Sequence, residues 1–150
     1  MNGGPSRDHE WLRAAIELSR SSPASTTAYA VGAIVVGADG RELSRGYSRE
    51  SDPADHAEEC ALAKLTGVEL AGATLYSSLE PCTVRRSRPR TCTELILAAG
   101  IRRVVFALHE PPLFADCQGA EILREHNVEV VELADLADLV REINAPVLGG

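Results

Sequence analysis

Apolar positions along this chain change period several times, and each change marks an element. Trp11, Leu12, Ala15, Ile16 and Leu18 recur at steps of three and four, which predicts a helix with Asp8 as its N-cap. Residues 1–7 ahead of it read as a flexible tail, and Ser21–Thr27, around Pro23, as a polar loop. Tyr29–Val36 is almost wholly apolar, the pattern of a strand covered on both faces. Asp39-Gly40 marks a hairpin turn into a second strand at Arg41–Tyr47. Asp52-Pro53-Ala54-Asp55 interrupts regular structure before a helix from His56 to about Thr66, built of small and helix-forming residues. Ala73–Ser77 predicts a third strand, and Thr91–Ala99 a helix closed by Gly100. Arg103–Leu108 predicts a fourth strand, Gly119–His126 a helix, Val128–Val131 a fifth strand, and Leu133–Ile143 a last amphipathic helix.

A helix between the fourth and fifth strands requires a right-handed crossover and parallel neighbours. The expected architecture is therefore α/β: three layers, α/β/α, around a five-stranded mixed sheet in which strands 4 and 5 run parallel. With 150 residues the chain makes one domain, expected over 8–150. Its 45% hydrophobic and 25% charged content is that of an ordinary globular domain. A net charge of −7 argues against a broad nucleic-acid footprint, which needs clustered Lys and Arg. It leaves room for a small phosphorylated substrate. No apolar run has the length of a membrane span, and Met1–Pro5 lacks the apolar segment of a signal peptide. The four cysteines suit a reduced, metal-binding protein better than a disulfide scaffold, so the expected location is the cytoplasm.

Two short stretches carry the chemistry: His56-Ala57-Glu58, and Pro81-Cys82 with Cys92 beyond it. His56, Cys82 and Cys92 are three zinc ligands, one short of a closed tetrahedral site, and a catalytic zinc keeps that fourth position for water. Glu58, two residues after His56, would stand in the first turn of the same helix, where the helix dipole disfavours a proton on it. That suits a general base. Cys60 shares a helix face with His56 and is the one residue that could close the site into a structural zinc module. Cys117 has no motif around it.

His-Ala-Glu followed by Glu80-Pro81-Cys82 resembles the cytidine/deoxycytidylate deaminase superfamily, whose signature is H-x-E and then P-C-x-x-C. After Cys82 the next cysteine is Cys92, so the usual short step between the two is replaced by an insert rich in Arg and Pro. Such an insert resembles the deaminase domain of the riboflavin-biosynthesis deaminase–reductase, and the resemblance runs from about Asp8 to about Val131. It implies a cytidine-deaminase-like fold, a Zn2+ cofactor on His56, Cys82 and Cys92, and Glu58 as the proton carrier. It also implies a deaminase domain standing without its reductase partner, and a homodimer at least. One segment departs from that branch: Ala28-Tyr29-Ala30 stands where the branch has Asn-Pro-Asn before Val-Gly.

Six residues are the candidate substrate contacts: Tyr29, Ala57, Glu80, Arg85, His109 and Glu110. Tyr29 matches a position where relatives place a ring-contacting residue, and the backbone carbonyl of Glu80 can accept from a substrate amino group. Arg85, with Arg86, Arg88 and Arg90, lies in the insert, where one or two guanidiniums could hold a phosphate or the loop could simply be solvated. His109 and Glu110 end the fourth strand at the carboxyl edge where open α/β sheets bind ligands, though a loop cap would look the same in sequence. The expected activity is zinc-dependent hydrolytic deamination of a small aminated pyrimidine or related heterocycle. Three alternatives stay open: the riboflavin-pathway diaminopyrimidine phosphate as substrate, base editing of tRNA or other nucleic acid, and a non-catalytic zinc module.

Overall fold

The computed structural model describes residues 5–23, 25, 28–81, 91–109 and 118–148. Helix α1 (Pro5–Leu18) leads to a single 3-10 turn and then to strands β1 (Gly32–Val36) and β2 (Glu42–Tyr47). Helix α2 (Ala57–Ala63), strand β3 (Thr74–Leu79), helix α3 (Cys92–Ala99) and strand β4 (Arg103–Leu108) follow. Helix α4 (Gly119–Glu125), strand β5 (Glu129–Glu132), helix α5 (Ala137–Ile143) and the short helix α6 (Ala145–Leu148) complete the chain. The sheet has five strands in the order β2-β1-β3-β4-β5. β1 is antiparallel to β2 and β3, whereas β3, β4 and β5 are mutually parallel. The mixed sheet with β4 and β5 parallel is the one the sequence predicts.

Strand parity assigns the two faces. A Cβ added at Gly32 would collide with the Ala15 carbonyl, so Gly32 lies directly under α1. Its neighbour Ala33 points the other way and pairs with Gly46, where a Cβ would come within 2.6 Å of the α2 backbone. Helices α1 and α2 therefore cover opposite faces, and both approach closely because glycine faces them. Between the layers, Leu12, Ile16, Ile34, Leu75, Ile96, Val104, Leu123 and Val140 are all but fully buried. Each such side chain contributes about 1.5–3 kcal/mol relative to exposure.

Several boundaries differ from the sequence pattern, each for a visible reason. α1 starts at Pro5, inside the stretch read as a tail, so Asp8 is a first-turn residue rather than the N-cap. Its carboxylate instead faces the sheet, accepting from the Tyr76 hydroxyl at 2.7 Å and from Arg103 Nη1 and Nη2 at 2.9 and 2.7 Å. Burial raises the Asp8 carboxyl, but Arg103 and Tyr76 outweigh it and hold the group below the usual carboxylate range. β1 starts at Gly32 rather than Tyr29 because side chains take the preceding amides: Ala30 donates to Asn144 Oδ1 and Val31 to Ser48 Oγ. α2 ends at Ala63 rather than near Thr66, passing through a turn to Gly67 at φ +81°. The last predicted helix is a 3-10 turn, Ala134–Leu136, followed by α5.

Candidate active site

The site lies at one edge of the sheet, where the N-termini of α2 and α3 meet the C-terminal end of β3. The loop into α2 is fixed by Asp55, whose Oδ2 accepts from the amides of Ser51 and Asp52, each at 2.9 Å. That loop delivers His56 to the N-cap of α2, with its own amide donating to Glu59 Oε1 at 3.3 Å. Glu59 is thus part of the cap. Thr91 caps α3 in the same reciprocal way: its hydroxyl accepts from Glu94 N at 3.2 Å, and its amide donates to Glu94 Oε1 at 2.9 Å.

These two caps bring His56 and Cys92 together although 36 residues separate them, with His56 Nδ1 3.3 Å from Cys92 Sγ. Two donors on one tetrahedral zinc lie roughly 3.5 Å apart, given Zn–N near 2.0 Å and Zn–S near 2.3 Å. The pair therefore fits that ion by spacing and, as imidazole plus thiolate, by chemistry. Cys92 is fully buried at the first position of α3. Cys82, the third expected ligand, lies outside the described residues, as do Arg85, Arg86, Arg88, Arg90, Glu110 and Cys117. Among the described residues no group of three or more His, Cys, Asp or Glu forms a metal cluster.

Glu58 is only 4% exposed, in the first turn of α2 beside this pair. Its Oε2 lies 3.0 Å from the hydroxyl of Ser77, and the same hydroxyl lies 2.8 Å from the Leu79 carbonyl oxygen. Ser77 pairs with Ala33 and so points to the α2 face, and the next residue, Ser78, points to the α1 face and accepts from Gly32 N at 3.1 Å. Neither serine is singled out by the sequence. The available signal was two hydroxyls at the end of a strand whose Tyr76, Ser77 and Ser78 all are buried.

Glu80 has a structural role that its motif does not reveal. Its carboxylate is buried, with Oε2 accepting from Ala120 N at 3.0 Å and Oε1 3.1 Å from His109 Nδ1. His109 Nε2 in turn lies 3.1 Å from Glu132 Oε1, and its ring stands edge-on to Phe106. Burial lowers the His109 imidazole, but Glu80 and Glu132 outweigh it and raise the group above its ordinary value. Both ring nitrogens of this candidate substrate contact thus have protein partners. Gly119, at the start of α4, sits so close to Pro81 that a Cβ would collide with the Pro81 carbonyl.

Of the other candidates, Tyr29 is 8% exposed, and its carbonyl accepts from Arg49 Nη1 at 3.1 Å. Ala57 is fully buried, its carbonyl turned toward Gly46. Cys60 packs toward β2, its Cβ 2.7 Å from where a Cβ on Gly46 would stand. Burial, then the charges of Asp55 and Glu50, push its thiol up to about 12.

The model of the cytidine and deoxycytidylate deaminase zinc-binding region matches residues 5–108. The diaminohydroxyphosphoribosylamino-pyrimidine deaminase of Schizosaccharomyces pombe is 34% identical over 138 residues, covering 89% of this chain and 34% of that protein. The diaminohydroxyphosphoribosylaminopyrimidine deaminase/5-amino-6-(5-phosphoribosylamino)uracil reductase of Thermotoga maritima superposes with a TM-score of 0.79 at 34% identity, covering 91% of this chain and 38% of that one. The Rib2 deaminase of Aspergillus oryzae, a C-terminal deletion mutant in complex with DARIPP, superposes with a TM-score of 0.76 at 25% identity, covering 95% and 91%. The chain thus spans 34% and 38% of the first two relatives, about a third of each. On the match over residues 5–108, which contains His56, Glu58, Cys82 and Cys92, the chain belongs to the cytidine and deoxycytidylate deaminase family, and within it is similar to the deaminases of riboflavin biosynthesis.

Proposed function

We propose that this chain is a zinc-dependent hydrolytic deaminase of an aminated pyrimidine. The observation that carries the reading is the buried Glu58 carboxylate, held at Ser77, in the same helical turn that aims His56 at Cys92. His56, Cys92 and Cys82 would hold the metal. Zinc, when bound, supplies a nucleophile at neutral pH by lowering the pKa of water to about 7. Glu58 takes the proton released from that water at a carboxylate oxygen and passes it to the ring nitrogen beside the amino-bearing carbon. A C–O bond forms, the exocyclic C–N bond breaks, and ammonia departs with a proton returned through Glu58. The Ser77 hydroxyl serves both states of the carboxylate. It donates to Glu58 while that group is charged, and turns to the Leu79 carbonyl when Glu58 carries the proton.

Within the class, the names of the relatives from S. pombe and T. maritima favour diaminohydroxyphosphoribosylaminopyrimidine. Ala28, without a polar side chain where the riboflavin branch has asparagine, favours a wider range of aminopyrimidines. Ammonia release from zinc-loaded protein separates the two, measured on a panel of aminated pyrimidines, purines and triazines with and without phosphate. Turnover confined to the phosphorylated diaminopyrimidine assigns the riboflavin pathway. Turnover of free bases or nucleosides assigns a salvage-type substrate. Zinc-loaded protein silent on the whole panel would sink the enzymatic reading.

A further inference from the structure

Ala30 is bonded as a strand residue would be, yet its partner is a side chain 114 residues away. Asn144 Oδ1 accepts from Ala30 N at 2.7 Å, and Asn144 Nδ2 donates to Ala30 O at 3.1 Å. The same Nδ2 donates to Val140 O at 3.0 Å, inside α5. A side-chain amide carries two N–H donors and one carbonyl, and here all of them act at once. Asn144 is only 2% exposed, at the point where α5 ends. Aspartate in its place would lack the donors, and an apolar residue would leave the Ala30 amide and carbonyl without this partner.

Other side chains hold the same stretch. Ser25 Oγ accepts from Ala28 N at 3.0 Å, Arg49 Nη1 donates to Tyr29 O at 3.1 Å, and Ser48 Oγ accepts from Val31 N at 3.0 Å. Ala28 and Ala30 bring no polar side chain of their own, so the path of the stretch follows from the bonds its backbone makes. β1 is antiparallel to β3 with Ala33 opposite Ser77, and Gly32 N donates to Ser78 Oγ. Carried on, that register sets 29–31 beside the C-terminal end of β3, the edge where His56 and Glu58 stand. Arg49 N donates to the carbonyl of Asp55, the residue before His56, at 2.9 Å. Through Arg49 the stretch is therefore tied to the loop that delivers His56.

We propose that Asn144 is a positioning residue for substrate binding: from the end of α5 it fixes the 28–31 stretch as a wall of the site. The inference deepens the deaminase reading and rests on it. Glu58, His56 and Cys92, the groups of the chemical step, stand on α2 and α3, so loosening 28–31 leaves them in place. Asn144 therefore acts on KM and not on kcat.

Steady-state kinetics of the full-length zinc-loaded protein test this, on diaminohydroxyphosphoribosylaminopyrimidine and on cytidine, with amide hydrogen exchange on the same samples. Asn144→Ala should raise KM about tenfold, the scale of one to two hydrogen bonds. It should leave kcat within about twofold and the zinc content unchanged. The Ala30 amide should exchange at least about tenfold faster relative to that of Val35, in the middle of β1. Val140→Ala removes buried methyl groups from the same helix and keeps the clamp, so it should lower stability while KM and the exchange ratio stay those of wild type. An equal KM shift in Val140→Ala, or a fall in kcat with KM unchanged in Asn144→Ala, would overturn the proposal. So would a wild-type Ala30 amide that exchanges as freely as in an unfolded chain, a readout that needs no variant to fold. Wild-type protein silent on both compounds and on the wider panel sinks the deaminase reading and the KM effect with it. An active wild type whose KM ignores Asn144 sinks this inference alone.

Discussion

The Ser77 hydroxyl stands 3.0 Å from Glu58 Oε2 and 2.8 Å from the Leu79 carbonyl oxygen, one proton between two acceptors. In Ser77→Ala the Glu58 carboxylate loses a charge-assisted hydrogen bond inside a buried site, worth about 1.5–3 kcal/mol. Steady-state kinetics should show kcat falling on the order of tenfold to a hundredfold, with zinc content by atomic absorption unchanged.

Glu58→Gln keeps the shape of the side chain and removes its ability to accept a proton. Turnover should fall by about 10²–10⁴, the usual share of a general acid–base group. Substrate should still bind, and the metal should stay in place. Near-normal ammonia release from this variant would rule out Glu58 as the proton carrier.

The metal assignment separates two cysteines of one chain. Cys92→Ala removes the thiol that faces His56 at 3.3 Å and should abolish stoichiometric zinc binding. Cys60→Ala affects a residue whose Cβ packs toward Gly46 and whose thiol meets Asp55, and it should retain one zinc per chain. Chelation should inactivate the wild-type protein, with activity recovered on adding zinc back. Metal loss in the Cys60 variant would favour the closed structural site instead.

Asp8 ties α1 to β3 and β4, so Asp8→Asn should lower unfolding stability by about 2–3 kcal/mol at neutral pH. That is somewhat less than for a fully buried pair, because Arg103 keeps Glu129 at 3.3 Å. The carboxyl is held below its ordinary value in the folded state, so its contribution is fully present above about pH 4, the unfolded value. It is lost as pH falls through the lower folded value. Urea midpoints of wild type and variant should therefore differ at pH 7 and converge as pH falls below the ordinary carboxylate range.

Gly119→Ala places a methyl group against the Pro81 carbonyl, one residue before the expected ligand Cys82. Either α4 moves off Glu80 or the Pro81 backbone shifts. Zinc affinity or kcat should fall at least about tenfold while circular dichroism stays that of a folded protein, the scale expected when the support of a metal ligand is disturbed.

Local pattern carried the elements whose residues face one environment along their length. β4 is Arg103–Leu108 as predicted, because a continuous apolar run needs no partner to be identified. The pairing of His56 with Cys92 was legible because the motif chemistry names both residues. What escaped were contacts made by one side chain across the fold. Asp8 reads as a cap until Arg103, 95 residues away, reaches it, and Glu80 reads as a motif neighbour until His109 and Ala120 converge on its carboxylate. Ser77 was illegible for another reason: its importance depends on which face of β3 it takes, and that is set by the pairing of Ala33 with Ser77.

That parity has a consequence for how the protein becomes competent. Ser77 and Ser78 are consecutive, yet one serves Glu58 and the other anchors Gly32 beneath α1. Were β3 to pair with β1 one residue out of step, either Tyr76 would take the place of Ser77, removing the hydroxyl from Glu58, or Leu79 would take the place of Ser78, removing the acceptor from Gly32. A slip in either direction therefore breaks one of the two contacts. The paired serines make the register of the central strand a condition of both the support of Glu58 and the seating of α1.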